Sequence, residues 1–172
     1  MYTVSAYYLA FATRAVMMTW FYPVLLSAAS FWFFQFEAHS FTDYLNYMGG
    51  LAMTGYSGAF MGYLIGAIFD NAEVALGIGN LFAMIAGFGA GLFANTGAGA
   101  NWFIRFLSWI SPLRYGCEII FRQVTTGRPG QDQILLIFGY TYGDLICYLS
   151  LLAFILATFG GGWLILYCKH RK

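Results

Sequence analysis

Four long apolar stretches constrain the fold of this chain more than any other feature of its sequence. They cover about residues 15–36, 47–69, 74–93 and 145–167. Each is long enough to cross the hydrocarbon core of a bilayer as a helix, which takes about 20 residues. Lipid offers peptide groups no hydrogen-bonding partner, so such a segment must satisfy its own backbone as an α-helix. The sequence therefore predicts an all-α membrane protein with four transmembrane helices.

The composition excludes several classes of soluble protein. Only 9% of the residues are charged and 60% are hydrophobic, whereas a soluble domain has about 25% charged residues. A net charge of +1 provides no basic field for nucleic acid. The three cysteines lack the spacing of metal ligands, and the sequence contains no phosphate-binding loop, nucleophile elbow or zinc-protease motif. We therefore predict no metal site, no catalytic residues and no enzyme activity for this chain.

Small residues recur at every fourth position of the second and third apolar stretches. Residues four apart share one face of a helix, and small side chains on that face allow two helices in lipid to pack closely. The pattern indicates either packing between these two helices or a separate surface for sliding or dimer formation. Its members are Gly50, Thr54, Gly58, Gly62, Gly66, Gly79, Ala83, Gly87 and Gly91.

A polar side chain, Asn80, lies inside the third apolar stretch. A buried amide in lipid requires a hydrogen-bonding partner or contact with water. Asn80 therefore either bonds to a neighbouring helix or lines a substrate path.

The segment at about residues 102–123 is rich in aromatic residues but also contains three arginines, a glutamate and a proline. It is too charged to span a bilayer, and its aromatic rings suit the membrane–water interface. Pro112 ends one short helix and allows another to begin at a new angle. The pattern predicts a re-entrant helical outer loop. Arg114 and Glu118 are four residues apart on one helical face, which predicts an ion pair between them.

Two separated motifs resemble the G-subfamily (White-type) ABC transporters. The first is MYTVSAYYLA at the start of the chain, and the second is the pattern W-x6-W-x-SP-x-RYG-x-E that begins at Trp102. The resemblance covers nearly the whole chain in order. It implies the C-terminal part of an ABC-2 type transmembrane domain, with the four spans as the third to sixth membrane helices and both termini in the cytosol.

The resemblance also implies roles for particular residues. A short N-terminal interfacial helix would act as the coupling helix, which in relatives contacts the nucleotide-binding domain. Asn80, Met84 and Gly87 would line a central substrate cavity, and Leu92 with Phe93 would form an apolar plug that closes it. The residues that match the coupling helix are Tyr2, Val4, Ser5, Tyr7 and Leu9.

The resemblance implies an ATP-driven exporter of lipid-like or amphipathic substrates that works as a homodimer or heterodimer in a plasma or organelle membrane. A nucleotide-binding domain and the first two membrane helices of the family are missing from these 172 residues. ATP and Mg²⁺ would act only through that domain, and a fragment or truncated gene model is the simplest explanation. The alternative is a small four-helix structural or accessory membrane subunit with no transport activity.

Overall fold

The computed structural model describes residues 4–33, 40–91 and 101–170. Within these ranges all regular secondary structure is α-helical. Four of the helices, α1, α2, α3 and α7, are long and apolar enough to cross a membrane, which confirms the predicted all-α membrane fold. The helices are α1 (Val4–Phe33), α2 (Phe41–Ile68), α3 (Ala72–Gly89), α4 (Trp102–Ile110), α5 (Pro112–Thr125), α6 (Gln131–Phe138) and α7 (Asp144–His170).

The first helix begins earlier than predicted. A separate N-terminal interfacial helix is not formed, because residues 4–9 are the first turns of α1 and continue directly into the span. No glycine or proline occurs between Val4 and Tyr22, so nothing in that segment interrupts the backbone hydrogen bonds. Pro23 lies inside α1, and the helix continues past it.

Capping side chains define the hairpin formed by α2 and α3. The Ser40 hydroxyl accepts from Thr42, and the Asp43 carboxylate accepts from the backbone N–H of Ser40 at 3.1 Å. This capping box starts α2 six residues before the predicted boundary of 47, since it satisfies N–H groups that a helix start leaves free. At the other end Asn71 caps α3, and the Lys169 Nζ donates to the carbonyl oxygens of Ala67 and Ile68 at 3.2 and 3.3 Å.

The second helix lies at the centre of the bundle and packs against α1, α5 and α7. The N-terminal half of α2 approaches α5 closely. An added Cβ at Gly50 would come within 2.7 Å of the Ile119 side chain. Ile119 is fully buried together with Cys147 and Leu151 of α7. The main core of the described chain therefore joins α2, α5 and α7.

The stripe of small residues on α2 does not pack along its whole length. Gly50 and Thr54 meet α5, but an added Cβ at Gly58, Gly62 or Gly66 would have no described atom within 4 Å. The same is true of Gly79 on α3. The expectation that the two stripes pack against each other is therefore wrong at these positions. The open half of the stripe remains a surface for another helix or another chain.

The two short helices α4 and α5 form the segment that was predicted to be re-entrant, and we call this segment the re-entrant loop. They meet at Ser111 and Pro112, and an added Cβ at Gly116 of α5 would overlap the Thr54 side chain. Thr54 lies halfway along α2. The loop therefore packs against the middle of a helix that is long enough to cross a membrane, an arrangement consistent with the predicted re-entrant loop.

Candidate functional site

The last turn of α3 is buried against the re-entrant loop. The Ser111 hydroxyl donates to the carbonyl oxygen of Ala86 at 2.7 Å. At Gly89 an added Cβ would lie 2.8 Å from the carbonyl oxygen of Leu107, so only glycine permits this approach of the two backbones. Gly91 then ends the helical geometry with a φ of 85°, a conformation that glycine adopts without strain.

A second hydroxyl holds the same end of α3. Tyr140 is 2% exposed, and its hydroxyl donates to the carbonyl oxygen of Ala90 at 2.8 Å. Burial raises the pKa of Tyr140, so the phenol keeps the proton that it donates. The ring packs against Phe121 of α5 and Phe138 of α6. Tyr140 and Ser111 therefore fix the backbone immediately before Leu92 and Phe93, the predicted plug, which lies outside the described residues.

Arg114 connects three parts of the helical region between α3 and α7. It is 5% exposed, and its guanidinium donates to the Ser108 hydroxyl of α4 and to the carbonyl oxygen of Gly139, the latter at 2.8 Å. The guanidinium carbon also lies 5.2 Å from the centre of the Tyr142 ring, a cation–π distance. Arg114 therefore links α4 and α5 to the segment between α6 and α7.

The predicted ion pair of Arg114 with Glu118 is not the pair that forms. Glu118 is fully buried and binds Arg122 at 3.0 Å instead. The reason lies in helix geometry, since a glutamate four residues before a cation is better oriented than the reverse order. A helical side chain also leans toward the helix N-terminus, which directs Arg114 back toward α4.

Arg122 and Asp144 extend this contact to α7. The Arg122 Nε lies 3.8 Å from a carboxylate oxygen of Asp144, and the Gln123 amide donates to that carboxylate at 3.1 Å. Burial raises the pKa of Glu118, while its hydrogen bond with Arg122 acts in the opposite direction. Two arginines and two carboxylates thus balance in charge where the re-entrant loop meets the start of α7. We name Arg114, Glu118, Arg122 and Asp144 the charge cluster.

The three residues predicted to line a cavity are not equally accessible in one chain. Asn80 and Met84 are exposed on α3, Met84 by 62%, whereas Gly87 is buried. Asn80 lines a cavity of about 540 Å³ between α2 and α3, together with Gly62 and Gly66 of the open stripe. The structure thus brings Asn80 to open space rather than into a helix contact.

The residues predicted to form a coupling helix lie in the first turns of α1, where most of them are exposed. Ser5, Tyr7 and Leu9 are exposed, the last two by 63% and 62%. Val4 is the first residue of α1, and Tyr2 lies outside the described residues. Sequence reasoning missed Tyr8, which is 3% exposed and packs on α7. The sequence alone does not show that Tyr8 is buried whereas the adjacent Tyr7 is exposed, because this depends on the position of α7.

We predict that Tyr140→Phe lowers the thermal stability of the purified protein. The change leaves the buried carbonyl of Ala90 without the hydroxyl that binds it, at a cost of about 1–2 kcal/mol. Size-exclusion chromatography after heating measures the loss. Tyr22→Phe is the matched control, because Tyr22 is 74% exposed, and it should leave the melting temperature unchanged. Equal melting temperatures for Tyr140→Phe and the wild type would contradict the assigned hydrogen bond.

Comparison with known proteins identifies the family. The family model for the ABC-2 type transporter matches residues 1–124. The matched region contains α1 to α4 and nearly all of α5, and thus includes the re-entrant loop. A search of curated proteins finds no match. Because the family model covers well over half of the 172 residues, the chain belongs to the ABC-2 type transporter membrane-domain family.

Proposed function

We propose that this membrane part of an ABC-2 type transporter belongs to a G-subfamily exporter that moves lipid-like or amphipathic substrates. In this proposal the described helices form the C-terminal part of the transmembrane domain, with both termini in the cytosol. A nucleotide-binding domain supplies ATP hydrolysis with Mg²⁺, and two copies or two related chains work together.

The open face of α3 is the observation that carries this proposal. Leu76, Asn80, Met84 and Phe88 are spaced four residues apart and are all exposed, so they form one continuous face of the helix. The face is apolar except for one amide. Such a surface suits a substrate that is mainly hydrocarbon with few polar groups. Two copies that present this face to each other would enclose a path between them.

The buried last turn of α3 supports the location of a gate. The exposed face ends where Ser111 and Tyr140 bind the backbone of α3. In the proposal, Leu92 and Phe93 follow this fixed point and close the path by excluding water, which bulky apolar residues do without a charge. Asn80, Met84 and Gly87 lie on the cytosolic side of that gate.

Transport by the full-length protein tests the proposal. The protein with its nucleotide-binding domain is reconstituted in vesicles that contain a fluorescent phospholipid analogue. We expect transfer of the analogue between leaflets that requires Mg-ATP and stops with a non-hydrolysable nucleotide. Transfer that is absent or independent of ATP would contradict the proposal. A native product that lacks any ATP-binding domain or partner would favour the accessory-subunit alternative.

The gate gives a specific prediction. Replacing Leu92 and Phe93 together by alanine should increase passive leak of the analogue, because the smaller side chains no longer exclude water from the closed path. The same change should make ATP turnover less dependent on substrate. Vesicle leak and ATPase assays measure both effects. If the two residues only anchor the end of the helix, the variant should be less stable but normally coupled, and that result would exclude the gate.

A further inference from the structure

The N-terminal turns of α1 dock onto the C-terminal half of α7 through Tyr8. Its hydroxyl donates to the carbonyl oxygen of Phe159 at 2.9 Å, and the two rings lie 5.1 Å apart. One turn before Tyr8 in α1, the Ser5 hydroxyl accepts a hydrogen bond from the Trp163 indole N–H at 3.3 Å. Ser5 and Tyr8 therefore place one face of α1 on a single turn of α7.

Gly162 provides the space that Tyr8 occupies. An added Cβ at Gly162 would lie 2.5 Å from the Tyr8 hydroxyl oxygen and 3.4 Å from the ring carbon that bears it. The hydroxyl thus fills the volume of the missing side chain. By contrast, an added Cβ at Gly160, two residues earlier in α7, would meet no described atom within 4 Å. The close approach is specific to one glycine of this glycine-rich turn.

The same turns of α1 have a second face that is open. Tyr7 and Leu9 are exposed on either side of the buried Tyr8. A protein that binds the open face would act on a helix whose other face is already fixed to α7. Closely packed groups transmit displacement because they have little free volume to absorb it.

We propose that Tyr8 is a positioning residue that transmits movement of the N-terminal turns of α1 to α7 through the contact with Gly162. The proposal rests on the proposed function, in which the open face contacts the nucleotide-binding domain. It adds that the displacement enters α7 directly, rather than only through the α1–α2 contact.

Three variants of the full-length protein in vesicles test this inference. Gly162→Ala should lower the amount of substrate moved per ATP hydrolysed by roughly 3- to 30-fold, the range of measured couplings between sites. Combining it with Tyr8→Phe should restore the ratio, because removal of the hydroxyl leaves the ring carbon at 3.4 Å as the nearest atom to the new methyl group. Gly160→Ala is the control and should match the wild type.

The amount of substrate moved per ATP hydrolysed separates transmission of movement from a simple effect on stability. A purely structural contact would change the yield or the melting temperature while each folded molecule kept its normal ratio. A normal ratio in Gly162→Ala would therefore overturn the inference. If Gly162→Ala does not fold, Tyr8→Leu removes the hydroxyl but keeps an apolar side chain, and a normal ratio there overturns the inference equally. Absence of ATP-dependent transport in the wild type would instead overturn the proposed function.

Discussion

Replacing Gly116 by alanine is expected to prevent accumulation of the folded protein. The added methyl group would overlap the Thr54 hydroxyl and would lie 2.9 Å from both side-chain carbons of Thr54. Thr54 cannot easily rotate away, since its hydroxyl donates to the carbonyl oxygen of Gly50 at 2.7 Å. Overpacking of this kind costs more than about 3 kcal/mol when no neighbour can move. Quantitative chromatography of a fluorescent fusion measures the folded yield.

A second substitution tests the assigned contact. Thr54→Gly removes the three atoms nearest to the new methyl group, so the double variant should recover part of the yield despite about 1 kcal/mol of lost helix propensity. Gly160→Ala is the matched helical control and should be tolerated, because space is open there. Normal yield of Gly116→Ala alone would show that the re-entrant loop does not pack against the middle of α2.

The charge cluster gives the second large expected effect. Arg122→Leu leaves the fully buried Glu118 without the cation that binds it at 3.0 Å. An unpaired buried charge of this kind costs about 3 kcal/mol. Thermal unfolding of the purified protein should therefore occur at a clearly lower temperature. Adding Glu118→Gln to Arg122→Leu should recover much of that loss, because no buried charge then lacks its partner.

Double-mutant cycles distinguish the observed pair from the pair that helical spacing predicted. The coupling energy between Glu118 and Arg122 should exceed that between Glu118 and Arg114, since Arg114 is bound to Ser108 and Gly139. The same substitutions, glutamine for glutamate and leucine for arginine, are used in both cycles. A larger coupling for Arg114 with Glu118 would contradict the arrangement of the cluster.

The sequence predicted the four long apolar helices correctly, because length and hydrophobicity identify segments that can cross a membrane. Length and hydrophobicity did not determine which groups form hydrogen bonds with each other. Arg114 has Glu118 one turn away, but its actual partners include the Gly139 carbonyl, 25 residues later in the sequence. Only the folded chain brings that carbonyl near. Tyr140 was missed for the same reason, since its hydroxyl binds Ala90, which is 50 residues away.

Glycine spacing was informative only in part. The regular stripe on α2 suggested one packing surface, yet Gly50 contacts α5 whereas Gly62 faces open space. A very close approach to α2 occurs at Gly116, which belongs to neither stripe. The spacing of small residues identifies the face on which two helices can approach. The position of the neighbouring helix determines which of these glycines are in close contact with it.

A nucleotide-dependent distance between two copies of the chain tests the proposal that this membrane domain works in an ATP-driven dimer. A spin label is placed on a cysteine that replaces Leu136, which is 64% exposed on α6. The exposed Cys168 is first changed to serine. Cys147 is buried, and burial raises the pKa of Cys117 to about 11, so both thiols are poorly reactive at neutral pH.

Cysteines elsewhere in the full-length protein are also replaced by serine, so that each chain carries one label and a dipolar signal in electron spin resonance arises only between two chains. For a homodimeric full-length transporter, the account predicts one defined distance without nucleotide and a different distance after trapping with Mg-ATP. A heterodimer needs the second label on its partner chain. Absence of a dipolar signal from both arrangements, or the same distance with and without nucleotide, would contradict the account.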